Sequence, residues 1–217
     1  IIDSELQSGE YAAAKILAGW VHGPGVVHTR QPISRLEDIS GMKIRGPTRL
    51  ATELLRELGA QPVAMPLPSI PKHLHGGSIN GTLLPWEVTP AIKLADIVSH
   101  HLEFEGKRAM YTTAFVMAMN WQSYRTLPAE IRSLLDTFSG KGLSAFAAEV
   151  MAGADAYGKL VASDNTVTVL KGPEVQRWIV QAQPLYNRWF AYANQHGFDG
   201  SAMLGKAREL IQYNRWR

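Results

Sequence analysis

The chain has 217 residues, 46% of them hydrophobic and 19% charged. That much apolar material can bury a core and excludes a disordered chain, while 22 basic against 19 acidic residues leave no polybasic footprint for nucleic acid. The absence of cysteine excludes a disulfide scaffold, thiolate catalysis and Cys-ligated zinc or iron–sulfur sites.

The opening IIDSELQSGEYAAAK has no Met, no basic head and no apolar block, so a processed or truncated product is expected. Tyr11 to Trp20 reads as a short helix-compatible run. A Gly/Pro-rich crossing segment follows, with a strand at Val26 to Thr29. Leu36 to Ser40 turns at Gly41, and Met42 to Arg45 is a strand. GPTRLATELLRELGA is the clearest helix: Pro47 suits its first turn, Leu50, Leu54, Leu55 and Leu58 share a face, and Gly59 stops it. Pro62 to Met65 is a short strand, Ser69 to His75 a brief helix with Pro71 in its first turn, and Ile79 to Leu84 an apolar run carrying an Asn80-Gly81 turn signal. This alternation is an α/β rhythm with a parallel sheet.

Tyr111 to Met119, YTTAFVMAM, is the most β-like run and reads as a buried strand. Even its apolar core is far shorter than the ~20 residues that cross a bilayer. Leu127-Pro128 starts a helix with Ile131, Leu134, Leu135 and Phe138 at helical spacing, and SGKG breaks it. A long helix over about Ser144 to Ala162, a strand at Thr166 to Leu170, a Trp- and Tyr-rich helix from Pro173 to His196 kinked at Pro184, and a last helix from Ser201 to Tyr213 complete the chain.

Few residues have a pattern that implies chemistry. His73 and His75 diverge by about 200° on a helix and have no nearby third ligand, so no metal is expected. His100 and His101 read as a solvated helix end or loop. Ser139 and Ser144 lack a nucleophile elbow, Asp96 reads as a solvated or capping acid, and the Trp and Tyr residues from Trp178 to Tyr192 read as core. Arg45 is different. It ends an apolar strand and is followed at once by Gly46-Pro47 and a helix, where ligands of α/β sheets bind. Its planar fork matches a carboxylate, and the competing reading is a surface ion pair with Glu37 or Asp38.

The run LEDISGMKIRGPT, then ELGAQPVAMP, then INGTLLPWEV, then MNWQSYRTLPAEI resembles one family. It is similar to the periplasmic substrate-binding proteins of TRAP transporters, the tripartite ATP-independent carriers of organic acids. The resemblance covers the later two-thirds of such a protein and implies the absence of the leading βαβ part. It implies an α/β, two-lobed periplasmic-binding-protein-like fold with mixed sheets, its lobes joined by crossing strands and a long helix. Residues 1–24 with 111–150 would belong to the first lobe, and 25–110 with 151–217 to the second. The segments His22 to His28 and Thr112 to Phe115 would be hinges.

The resemblance also implies that Arg45 pairs with the substrate carboxylate. Leu67 stands where sialic-acid and dicarboxylate binders carry an aromatic residue, and Leu84 stands where they carry an amide. A second arginine of polar-substrate binders falls near Gly25. The expected ligand-binding set is therefore Arg45, Leu67, Leu83, Leu84, Trp86, Phe115 and His22. Apolar walls would leave each buried hydroxyl of a sugar acid unpaired, at about 1–3 kcal/mol, but gain about 25 cal/mol per Å² from an aromatic or branched body. The expected ligand is a hydrophobic monocarboxylate or 2-oxo acid, with no cofactor, no nucleic acid and the membrane subunits of a TRAP transporter as partners. The rival readings are an α/β enzyme using Glu87 as general base and Arg45 as anchor, and a ligand-sensing domain of the same fold.

Overall fold

Residues 11–106 and 108–214 are described by a computed structural model. The opening residues 1–10 and the last three, which the sequence assigns to the first and second lobes, lie outside them. In chain order the elements are β1 (Ala14–Val21), β2 (Val26–Thr29), β3 (Lys43–Arg45), α1 (Arg49–Glu57), β4 (Gln61–Val63), α2 (Ile70–His75), β5 (Gly81–Leu84), β6 (His100–Phe104), β7 (Ala114–Asn120), α3 (Trp121–Thr126), α4 (Ala129–Phe138), α5 (Lys141–Val161), β8 (Thr166–Leu170), α6 (Gly172–Gln181), α7 (Gln183–Gln195) and α8 (Gly200–Asn214). Short 3-10 turns span Leu36–Ile39, Leu67–Ser69, Trp86–Ile92 and Leu94–Asp96. No helix of the described residues is long and apolar enough to cross a membrane.

Two sheets result. β1 and β7 form an antiparallel ribbon, and the other strands form a six-stranded sheet in the order β4-β3-β5-β2-β6-β8. The latter is mixed rather than parallel: β3 runs parallel to β4 and β5, and β6 to β8, but β2 is antiparallel to both its neighbours. The helix-compatible run at Tyr11 to Trp20 is instead the strand β1. Its alanines favour helix, and a register shift between Ile16 and Ala18 breaks the alternation that would reveal a strand. Pairing with β7 overrides that weak propensity. β7 itself is largely exposed rather than buried, since it is half of a two-stranded ribbon. His100 and His101 lie on β6 rather than in a solvated loop, and His101 is buried. Pro47 precedes the N-cap of α1, whose Thr48 hydroxyl accepts from the Ala51 N–H at 3.2 Å. The expected kink at Pro184 is a full break at Ala182, with Pro184 in the first turn of α7.

The six-stranded sheet is covered on both faces, as a sheet with parallel units requires. On one face Val27, Ile44, Leu83 and Leu102 pack under α1, through Leu55 and Leu58, and under α6, through Val175 and Trp178. On the other, Leu84 packs with Ile70 and Leu74 of α2 and with Leu94, and Val26 packs with Trp86 and Ala162. The long α5 rests on this second face. A Cβ at Gly158 would lie 2.0 Å from the Trp86 carbonyl oxygen, so only glycine permits this approach.

Candidate functional site

Strand registry places one polar row across the second face. Arg45 of β3 is paired with Thr82 of β5, Thr82 with His28 of β2, and His28 with His101 of β6. Directly paired residues point to the same side of a sheet. All four are buried, so each polar group must find a partner or be costly.

The histidines find theirs within the protein. His28 Nε2 lies 3.1 Å from the Leu84 carbonyl and must donate to it. Its Nδ1 then accepts, at 2.7 Å, the Nδ1–H of His101, and His101 Nε2 accepts from the Asn165 amide at 3.2 Å. Trp86 closes the group, with ring centroids 5.0 Å from His28 and 4.7 Å from His101. Burial, reinforced by His101 beside His28 and by His100 beside His101, pushes His28 down to about 3 and His101 down to about 4. Both are neutral at neutral pH, as the hydrogen-bond chain requires.

Arg45 has no such closure. It is only 8% exposed. Its Nε donates to the Met65 carbonyl at 3.2 Å and its Nη1 to the Leu83 carbonyl at 3.3 Å. These contacts orient the guanidinium but bring no negative charge. The two acids that the sequence offered as its partners are engaged elsewhere: Glu37 pairs with Arg177, and Asp38 with Arg35 at 3.2 Å. Among the described residues no carboxylate pairs with Arg45. Burial lowers its affinity for its proton, but a guanidinium remains charged. The result is a held, desolvated cation at the carboxyl end of β3. There α1 and α2 leave the parallel strands on opposite faces of the sheet, the place where open α/β sheets take ligands.

The other expected residues are distributed around it. Leu67 is half-buried against the cluster of Ile70 and Leu74. Leu84 and Trp86 are buried, the Trp86 indole donating to Glu103 at 2.8 Å. The Leu83 side chain is sealed in the core beneath α1, and only its carbonyl reaches Arg45. Phe115 and His22 lie on the ribbon side. Phe115 stacks on Trp20 at 5.7 Å and lies 6.0 Å from His22. His22 joins the crossing segments: its Nδ1–H donates to the Gly23 carbonyl at 2.6 Å, and its Nε2 accepts from the Thr113 N–H at 3.0 Å. The imidazole has no nitrogen left over for a ligand.

Three further features lie beyond the expected ligand-binding set, one of them Glu87 of the rival enzyme reading. Tyr111 sits edge-on to His22 at 5.3 Å, and its ionisation responds to both Arg45 and Glu87. Glu87 donates its backbone N–H to Asp155 of α5 at 3.0 Å, and its Oε2 is buried without a partner. Burial and the adjacent Asp155 hold the Glu87 carboxyl well above the usual carboxylate range. A cavity of about 700 Å³ opens between α1, α6, α7, α8 and the 108–114 segment, lined by Leu54, Met110, Tyr111, Trp178 and Trp189 among others. Arg45 is not on its wall, although the cavity reaches Thr48 at the start of α1. Histidines on two apolar strands were the available signal for His28 and His101, but sequence does not say which strands pair. His73 and His75 are each spoken for locally, by the Ser78 hydroxyl at 2.8 Å and the Pro71 carbonyl at 2.9 Å.

Comparison with known proteins places this geometry. Residues 5–193 match the model of bacterial extracellular solute-binding proteins, family 7. A TRAP solute-binding protein from Rhodoferax ferrireducens T118, solved with copurified benzoate, is 40% identical and superposes with a TM-score of 0.91 over 98% of this chain and 67% of that one. A marine metagenome TRAP solute-binding protein specific for aromatic acid ligands, solved with 3-hydroxybenzoate, is 33% identical with a TM-score of 0.92 and the same coverage. A Bordetella bronchiseptica TRAP protein with bound mandelate shares the fold at 24% identity, with a TM-score of 0.86 over 98% of this chain and 68% of that one. The chain belongs to family 7 of the bacterial extracellular solute-binding proteins and has the two-lobed α/β fold of the TRAP solute-binding proteins.

Proposed function

We propose that this protein captures an aromatic or similarly hydrophobic monocarboxylate in the periplasm and delivers it to the membrane subunits of a TRAP transporter. The observation that carries this reading is the buried Arg45 guanidinium, oriented by two carbonyls and lacking a carboxylate. A desolvated cation of this kind is stabilised by an anion that brings two acceptor oxygens. The relatives solved with benzoate and 3-hydroxybenzoate support an aromatic acid as that anion.

In this reading Arg45 takes the carboxylate, while Leu67, Leu84, Trp86 and Phe115 surround the body. Leu83 contributes its carbonyl, and His22 shapes the hinge. The ribbon with α3, α4 and the start of α5 belongs to one lobe, and the six-stranded sheet with α6 to α8 to the other. Closure excludes water and strengthens the ion pair, and the acid favours closure only by its differential affinity for that state.

The protein acts by binding and not by turnover. The family match supports this reading over an enzymatic one, since the matched family consists of solute-binding proteins. Calorimetry with benzoate, succinate and sialic acid tests the reading. Stoichiometric binding of benzoate alone is expected. Tight binding of succinate or sialic acid without benzoate would overturn it. Uptake of the acid in vesicles carrying the TRAP membrane subunits separates delivery from sensing.

A further inference from the structure

We infer that Glu87 and Asp155 form a proton-dependent clasp at the joint between the ribbon and the six-stranded sheet, one carboxyl donating its proton to the other. The clasp ties α5 and the crossing segment to the sheet while that proton is held, and releases them when it is lost. It belongs to the joint itself and does not depend on which ligand Arg45 takes.

The placement of the two acids carries the proposal. α5 is the element that spans the joint. At its start, the Gly140 N–H donates to the Leu17 carbonyl at 2.6 Å, and the Ser144 hydroxyl accepts from the Gly19 N–H at 3.0 Å, both on β1. Near its end, Gly158 lies against the Trp86 carbonyl. Asp155 stands about one turn before that contact. Its Oδ1 accepts from the Glu87 backbone N–H at 3.0 Å. Its Oδ2 fills the space over Gly23 of the crossing segment, where a Cβ would lie only 1.4 Å away. One carboxylate therefore touches the turn that follows β5 and the connection from β1 to β2, and anchors both to α5.

The Glu87 side chain is the second acid. It lies within hydrogen-bond reach of Asp155, and its Oε2 is buried without a partner. The other titratable groups nearby bring no compensating charge. Lys159, the next lysine along α5, is committed to Glu103 at 2.8 Å. His22 of the crossing segment has both ring nitrogens engaged. Tyr111, whose ionisation responds to Glu87, is kept neutral by burial. Two carboxylates brought together without a cation repel, and one proton between them turns the repulsion into a charge-assisted O–H···O bond. Burial and Asp155 accordingly push the Glu87 carboxyl up to about 8. The clasp is closed at neutral pH and opens at alkaline pH.

Amide hydrogen exchange of the ligand-free protein at pH 6.5 and pH 9, read by mass spectrometry and corrected for the intrinsic rise in rate, tests this. In the parent, protection of the Trp86–Ile92 turn, of residues 20–26 and of residues 150–160 should fall by about tenfold at pH 9, while that of β3 and α1 stays the same. Glu87→Gln keeps a donor that cannot ionise, so its protection should not change between the two pH values. Gly23→Ala pushes the Asp155 carboxylate aside, so at pH 6.5 its Trp86–Ile92 turn should already exchange like that of the parent at pH 9. A parent equally protected at both pH values would overturn the proposal. So would an alkaline loss of the same size in Glu87→Gln, because the lost proton would then belong to another group. A Gly23→Ala protein as protected as the parent at pH 6.5 would overturn it as well, since Asp155 would not be what holds the joint.

Discussion

Arg45 and the His28–His101 pair stand in the same cross-strand row, on the same face of the same sheet, and are both buried. They differ in how their polarity is met. The histidines run a closed chain from the Asn165 amide to the Leu84 carbonyl, every ring nitrogen used and both rings neutral. Arg45 is held by carbonyls but left with its charge uncompensated. A buried polar group that the fold satisfies is part of the scaffold. A buried charge that the fold orients but does not neutralise is an incomplete interaction, which in the proposed function the ligand carboxylate completes. Burial by itself distinguishes nothing; the partner inventory does.

The largest effect should come from removing the unbalanced end of the row. Arg45→Ala should cost about 2–5 kcal/mol of benzoate binding, the scale for truncating one member of a buried charge pair, with little loss of folded stability. Arg45→Lys should also bind weakly, because an ammonium cannot reproduce the fork. Calorimetry with circular dichroism checks both. If Arg45→Ala retained affinity, the contrast with the histidines would carry no functional meaning.

Next in size is the packing that holds α5 over the histidine side of the row. Gly158→Ala places a methyl 2.0 Å from the Trp86 backbone oxygen, which cannot yield as a flexible side chain would. A loss of about 1–3 kcal/mol is expected, read as a lower denaturation midpoint.

The histidine pair itself should show in acid. Both rings have folded values below the unfolded 6.5, at about 3 and about 4. Between these values the unfolded chain binds more protons than the folded one, so stability is fully present above pH 6.5 and is lost as pH falls toward 3. The slope is up to about 1.4 kcal/mol per pH unit for each histidine. Melting temperatures from pH 7 to 4 should fall less steeply in a His28→Leu, His101→Leu double variant. An unchanged slope would show that the chain of neutral rings does not govern acid stability.

The smallest expected effect is at Glu87, a carboxyl whose folded value is raised. Here the sign is opposite: the folded state holds a proton that the unfolded state has released, so the group destabilises as pH rises above the unfolded value. Glu87→Gln should therefore be more stable than the parent by about 1 kcal/mol near pH 8 and indistinguishable from it near pH 4, as thermal melts would report.

Much of the second sheet was legible in the residues. The strands Val26–Thr29, Lys43–Arg45 and Thr166–Leu170, and the helix after Pro47, follow from apolar runs bounded by Gly and Pro. Arg45 was legible because a charged residue ends an apolar strand just before a helix start. The ribbon strand β1 was not, since its alanines and its register shift hide the period of two. His101 was misplaced because adjacent polar residues look solvated until a partner strand and a helix cover one of them.

The sequence by itself determined the α/β class, the strand that carries Arg45 and the apolar character around it, because periodicity and punctuation are local properties of the chain. Only the tertiary structure decided which buried polar groups satisfy one another. That depends on strand pairing between residues as far apart as His28 and His101. It is also what leaves Arg45 among carbonyls, for no carboxylate in the described fold is brought to its guanidinium.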